Sequence, residues 1–249
     1  MHILCTNDDG YLANGLRVLT RAVTGLGRIS VVAPDREQSA TSNSLTLHHP
    51  LRSRRTREGA LVVDGTPTDC VILAVNALLE EPPDICLSGV NHGANMGEDV
   101  LYSGTVAAAM EATVLGIPAV AVSYTGTEYG RIRDWSGRLQ AFLRSLLDNG
   151  RFPADTLLNV NLPPMPPEDV RGVRVTHLGR RRYSDSLTRA RDPSGREYFW
   201  LGGGVSRWSG GDRSDFRAIE DGYVSVTPLH LDLTNHSLLE ALEGWNLGV

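Results

Sequence analysis

Short apolar runs at residues 2–6, 29–33, 84–88 and 119–123, rich in Val, Ile and Leu, alternate with stretches of helical periodicity. Runs this short and continuous suit strands covered on both faces, and their alternation with helices predicts a mostly parallel, Rossmann-like α/β sheet flanked by helices. The intervening patterns carry their own punctuation. Leu16, Leu19, Val23 and Leu26 recur at helical spacing and stop at Gly27. Thr66, Pro67 and Asp69 have the order of an N-cap, a first-turn proline and a capping-box carboxylate, leading into residues 71–79. Ser103 is placed to cap an alanine-rich helix over residues 106–115 that Gly116 and Pro118 end. A fourth helix over 139–147 and a strand over 157–160 follow.

Four of the five residues from Pro163 to Pro167 are proline, and the pattern then changes. Residues 171–177 and 223–226 read as strands, 198–201 as part of an extended hairpin arm ending in Gly202, Gly203 and Gly204, and 237–242 as a closing helix. The expected organisation is a catalytic core over 1–167 and a smaller β-rich region over 168–249 that serves assembly.

No lysine occurs among the 249 residues. A P-loop lysine, a Schiff-base lysine and a pyridoxal-phosphate anchor are thereby excluded, so any phosphate must be met by backbone amides, hydroxyls, arginine or a metal. The formal charge of −5 argues against a nucleic-acid polymer or an anionic membrane as partner. Arginines cluster at 52–57 and 180–182, which by itself is a solvated surface feature. Cys5, Cys70 and Cys86 lie in apolar stretches without C-x-x-C spacing and read as buried small hydrophobes. No apolar run reaches the length of a membrane span, and residue 2 already enters a strand, so no signal peptide and a cytoplasmic location are expected.

In open α/β sheets ligands gather beyond the carboxyl ends of the strands, which directs attention to four loops. The first carries Asn7, Asp8, Asp9 and Gly10. Two carboxylates about 4 Å apart repel by roughly 4 kcal/mol at an effective dielectric near 20, so such a pair takes up a proton or a cation. The second loop holds an unusual density of hydroxyls from Ser39 to Ser44. The third, Gly89 to Gly97, mixes glycines with Asn91 and Asn95 in a form suited to close approach of amides to an anion. The fourth, Tyr102-Ser103-Gly104-Thr105, opens a helix whose free amides favour phosphate. Each alone reads equally well as a polar turn or an ordinary cap. Jointly, oxygen donors without a His or Cys cluster select a hard cation, Mg²⁺ or Mn²⁺, beside a phosphate cradle.

These segments, with Val32 to Arg36, Gly65 to Cys70, Ser88 to Asn91, Ser103 to Thr105 and Gly222 to Pro228, resemble the SurE family of stationary-phase survival proteins over nearly the whole chain. The resemblance implies a metal-dependent phosphatase that hydrolyses nucleoside 5'-monophosphates, with 3'-monophosphates and short polyphosphate as further substrates to consider. It implies one divalent ion per subunit on Asp8, Asp9, Ser39 and Asn91, and a phosphate pocket at Asn43, Asn95, Ser103, Gly104 and Thr105. Either Asp8 or Asp9 is open as the general base. It also implies a homodimer or homotetramer built through an arm, here residues 180–204. His92 is expected to be a solvent-facing loop residue without a catalytic role, and Tyr102 and Tyr124 are candidates for stacking on the base. Two other classes stay open at this point: a calcium-dependent nucleoside hydrolase, whose longer acidic motif is absent, and a nucleotide sensor without turnover.

Overall fold

The computed structural model describes the chain apart from residues 150–151, 154, 185–186, 202–204, 246 and 248–249. The first strands are β1 (His2–Thr6), β2 (Arg28–Pro34), β3 (Ser53–Arg55), β4 (Leu61–Val63), β5 (Ile85–His92), β6 (Ala119–Tyr124) and β7 (Thr156–Leu162). They are followed by β8 (Val173–Val175), β9 (Arg180–Ser184), β10 (Leu187–Arg191), β11 (Glu197–Leu201), β12 (Val205–Ser209) and β13 (Val224–His230). The helices are α1 (Asn14–Ala22), α2 (Pro67–Leu73), α3 (Gly104–Val114), α4 (Ser136–Asn149), α5 (Asp215–Glu220) and α6 (His236–Glu243). Among the described residues nine strands form one sheet in the order β3-β4-β2-β1-β5-β6-β7-β13-β8. From β4 to β7 all neighbours are parallel, β3 and β13 run antiparallel to the strands they edge, and β8 is parallel to β13. The expected mostly parallel sheet flanked by helices is what the chain adopts. No helix of the described residues is long and apolar enough to cross a membrane.

The pleat sorts side chains by size. Ile3, Cys5, Leu87, Val120 and Val122 point to the face covered by Leu16 and Leu19 of α1 and Leu139 and Leu143 of α4. Leu4, Cys86, Ala119 and Ala121 point to the other, where they meet Cys70 and Val71 of α2 and Ala108, Ala109 and Ala112 of α3. Small residues on both sides let α3 lie close to the sheet, and interiors packed at crystal density leave little room for it to shift. The three thiols are buried and unpaired, as expected.

Local chemistry explains where elements start. At α2, Thr66 Oγ1 accepts from Asp69 N at 3.1 Å while Thr66 N donates to Asp69 Oδ2 at 2.9 Å, a complete capping box with Pro67 in the first turn. Some elements depart from the sequence reading. α1 stops at Ala22 rather than continuing to Gly27. β5 runs on through Gly89 to His92, with a bulge in its pairing to β6 between Ser88 and Asn91, so the first half of the glycine-rich segment is strand rather than loop. β3 and β4 carry too few residues to show a period.

β8 and β13 join the main sheet, whereas among the described residues the four strands between them pair with one another: β9 with β12 and β10 with β11. The arm is thus a nested pair of hairpin ladders whose pairings extend to Ser209, beyond the residue 204 expected from sequence. Gly202, Gly203 and Gly204 themselves lie outside the described residues.

Asp215, at the start of α5 and fully buried, joins the arm base to the glycine-rich segment. Its Oδ2 accepts from Gly97 N at 2.8 Å, and its Oδ1 accepts from Gly179 N and Phe216 N, each at 2.9 Å. Asp215→Ala leaves those buried N–H groups without an acceptor and is expected to lower unfolding free energy by about 3 kcal/mol in a urea titration, with a smaller loss for Asp215→Asn.

Candidate functional site

β1 delivers its chain to a turn that Asn7 and Gly10 close. Asn7 Nδ2 donates to Gly10 O at 3.0 Å, and Gly10 sits at φ +92°, a left-handed conformation that glycine adopts without strain. Between them Asp8 is buried at 4% exposure and Asp9 is half-buried.

The two carboxylates are held by different elements. Thr105 Oγ1, in the first turn of α3, donates closely to Asp8 Oδ1. Gly104 makes this approach possible, since a Cβ there would fall 2.8 Å from Asp8 Cβ and 3.0 Å from Oδ2. Asp8 therefore lies against the positive end of α3, where Ser103 Oγ caps the helix by accepting from Val106 N at 3.1 Å. Asp9 Oδ2 accepts from the backbone N–H of His92 at 3.1 Å. The Tyr129 hydroxyl, which donates to Val90 O at 3.0 Å, lies 3.4 Å from the same Oδ2.

Burial pushes the Asp8 carboxyl up to about 6, against the opposing Thr105 hydrogen bond and with the negative charge of Asp9 adding to the rise. Burial also raises Asp9, to which the nearby Glu37 carboxylate adds and the His92 amide and ring oppose. Among the described residues no salt bridge involves either aspartate. The site therefore concentrates carboxylate charge from Asp8, Asp9 and Glu37, opposed at Asp9 by the His92 ring and, among the described residues, by no ion pair at either aspartate. No group of three or more His, Cys, Asp or Glu side chains among the described residues is arranged to hold a metal, so a bound ion would draw on hydroxyl and amide oxygens as well. That mixed oxygen set fits a hard cation.

The remaining residues singled out from sequence are placed less uniformly. Gln38 N donates to Asp8 O at 2.7 Å, which ties the second loop to the first. Ser39, the next residue, is exposed and donates its hydroxyl to Glu37 Oε1 at 2.7 Å. Asn43 is exposed; its neighbour Ser42 pins the loop to the α3 entrance by donating Oγ to Leu101 O at 2.6 Å and N to Tyr102 O at 3.2 Å. Asn91 sits on the β5 bulge beside the His92 amide that holds Asp9, and its Nδ2 donates to Gly93 O at 2.9 Å. Asn95 is buried: its Nδ2 donates to Ser123 Oγ at 2.8 Å, its N to Asn161 Oδ1 at 3.0 Å, and its carbonyl accepts from Asn159 and Asn161.

Several of these partners were missed from sequence. Asn159 and Asn161, two apart in an otherwise apolar strand, share one face and are fully buried, a spacing that does signal an internal polar network. Glu37 and Tyr129 carry no such signal. Tyr124, taken as a possible base clamp, is 1% exposed and part of the core, whereas Tyr102 is 63% exposed. The His92 ring does not simply face solvent: it stacks on Tyr129 with centroids 3.6 Å apart and planes at 25°.

A cavity of about 870 Å³ lies elsewhere, between α1, β2 and the β3–β4 edge, with Arg17, Arg28, Arg54, Arg55 and Arg57 on its walls. It contains neither aspartate.

A carboxyl raised from the usual 3.8 to about 6 holds its proton more tightly in the folded state, so stability falls as pH rises through that window, by about 3 kcal/mol at most. In chelator-treated protein Asp8→Asn is expected to remove most of that fall and to raise the melting temperature at pH 7.5 while leaving it unchanged near pH 4. A melting temperature at pH 7.5 equal to or below that of the parent chain counts against this electrostatic account.

The profile of the family described as survival protein SurE matches residues 3–185. A protein of Gemmatimonas aurantiaca named 5'-nucleotidase SurE is 59% identical over 248 residues, covering 98% of each chain. One of the same name from Geotalea daltonii is 50% identical, covering 99% of this chain and 100% of its own. The crystal structure of the SurE protein from Aquifex aeolicus superposes with a TM-score of 0.87 at 40% identity, over 98% of both chains. On this continuous similarity, and with the acidic turn and the α3 entrance lying inside the matched segment, the chain belongs to the SurE family.

Proposed function

We propose that this chain is a metal-dependent 5'-nucleotidase that hydrolyses nucleoside monophosphates to nucleoside and phosphate. The observation that carries the reading is the pair of adjacent carboxylates at the end of β1, Asp8 against the start of α3 and Asp9 against the end of β5, with no salt bridge to either among the described residues. The relatives named 5'-nucleotidase support it. The residues that would hold a single Mg²⁺ or Mn²⁺ are Asp8, Asp9, Ser39 and Asn91, Ser39 by turning its hydroxyl away from Glu37. A divalent ion bound there supplies positive charge against the phosphoryl oxygens.

The chain's own groups divide the remaining work. Amides of Gly104 and Thr105 at the start of α3 meet phosphoryl oxygens, where the helix dipole favours negative charge. The Thr105 hydroxyl orients Asp8, and the Ser103 hydroxyl keeps the helix start in shape. Asn43 and Asn95 complete the phosphate side, Asn95 chiefly by fixing the segment between Gly93 and Gly97 through its buried amide network. Water attacks phosphorus as the bond to the ester oxygen breaks; one proton of the water passes to a carboxylate and the departing nucleoside oxygen takes up a proton in its place, so that nucleoside and hydrogen phosphate leave. Asp9 is the better placed acceptor, because Asp8 is more deeply buried and bonded to Thr105.

Release of inorganic phosphate from AMP in the presence of Mn²⁺ or Mg²⁺ is expected, abolished by chelator. Asp8→Asn and Asp9→Asn are each expected to lower kcat/KM by at least 100-fold. Release of adenine from adenosine instead indicates a nucleoside hydrolase, and binding of AMP without turnover indicates a sensor. The same assay on 3'-AMP and short polyphosphate defines the further substrates.

The arm supports a homo-oligomer. Phe199, Trp200 and Leu201 on β11 are 54%, 67% and 86% exposed, an apolar run that a monomer leaves in water. Phe199→Ser with Trp200→Ser is expected to shift the mass measured by light scattering toward the monomer; an unchanged mass places the interface elsewhere.

A further inference from the structure

We infer that the stacked pair His92 and Tyr129 is the nucleobase subsite of this chain, with the open face of the His92 ring receiving the base. The inference rests on the nucleotidase reading and adds to it where the base goes. One face of the imidazole lies on Tyr129 at 3.6 Å, and His92 is exposed. The Tyr129 ring beneath is anchored, since its hydroxyl donates to Val90 O at 3.0 Å and the ring packs against the core. His92 itself ends β5 in register with Tyr124 of β6, so its backbone is fixed as well. A ring already held in place loses little freedom when a second ring is laid on it.

Position selects the ligand. The His92 N–H binds Asp9 Oδ2 at 3.1 Å, which sets the platform beside the carboxylates. A phosphate bound at the aspartates and the start of α3 then carries its base about one sugar away, within reach of the stacked pair. Tyr124 is closed to this role by burial, and Tyr102, exposed beside Ser103, is the competing surface. Stacking needs only a π-face, so the subsite accepts every base and favours purines for their larger area.

The test compares kcat/KM for AMP with that for ribose 5-phosphate, which has the same ester and no base. His92→Ala is expected to lose roughly tenfold more on AMP than on ribose 5-phosphate, and His92→Phe to restore most of the difference. In parallel, the ring protons of His92, identified by their loss in His92→Ala, are expected to shift upfield when Mg²⁺-loaded protein is titrated with AMP and not with ribose 5-phosphate. Equal losses on both substrates, a base-dependent loss at Tyr102→Ala but not at His92→Ala, or unmoved ring protons at saturating AMP would overturn the inference. If neither compound releases phosphate, the nucleotidase reading fails, and the NMR titration alone still decides whether the pair binds a base.

Discussion

The contact on which this site depends is that between the Asp8 carboxylate and the first turn of α3. Taking a carboxylate out of water costs several kcal/mol, whereas a helix terminus returns only about 0.3–1 kcal/mol, up to about 2 when partly buried. The helix start and the Thr105 hydroxyl therefore orient Asp8 without offsetting its burial, which raises its carboxyl, with the charge of Asp9 adding less. In the proposed reading a cation bound at the mouth of the sheet would be balanced by this carboxylate and by Asp9 beside it.

The core makes that contact possible. α3 approaches the sheet because Ala108, Ala109 and Ala112 meet Ala119, Ala121 and Cys86, and a larger side chain in this layer would lift the helix and its N-terminus away from Asp8. Gly104 extends the same economy of volume into the site, with no room for a Cβ beside the aspartate. Packing and charge are thus coupled through one helix, and a core substitution in α3 acts on the carboxylates without touching them.

Much of this was legible in sequence. The strand at residues 2–6, the capping box at Thr66 and Asp69 and the Ser103 cap follow from local chemistry and were placed as they stand. Fold class followed from the alternation of strand and helix patterns. The continuation of β5 to His92 was not legible, because glycine and asparagine there argue for a loop and only pairing with β6 makes the segment a strand. Ser39 could be singled out by family likeness, yet its hydroxyl turns to Glu37 two residues earlier, a rotamer outcome that no spacing encodes. The role of Tyr129 was equally hidden, since its meeting with Asp9 and His92 depends on a short helical turn folding back over β5.

Cavity size is a poor guide to chemistry in this molecule. The large arginine-walled cleft between α1 and the β3–β4 edge offers positive charge and volume, yet it contains neither aspartate. The aspartates offer the opposite, negative charge just past the end of the central strand β1, with no lysine anywhere in the chain to offset it. A phosphate dianion and two bare carboxylates repel one another, and the amides of a single helix start are too weak to reverse that. In the proposed reading, then, phosphate affinity is not a property of the folded chain alone, and the need for a divalent ion follows from the repulsion between the phosphate and the two carboxylates.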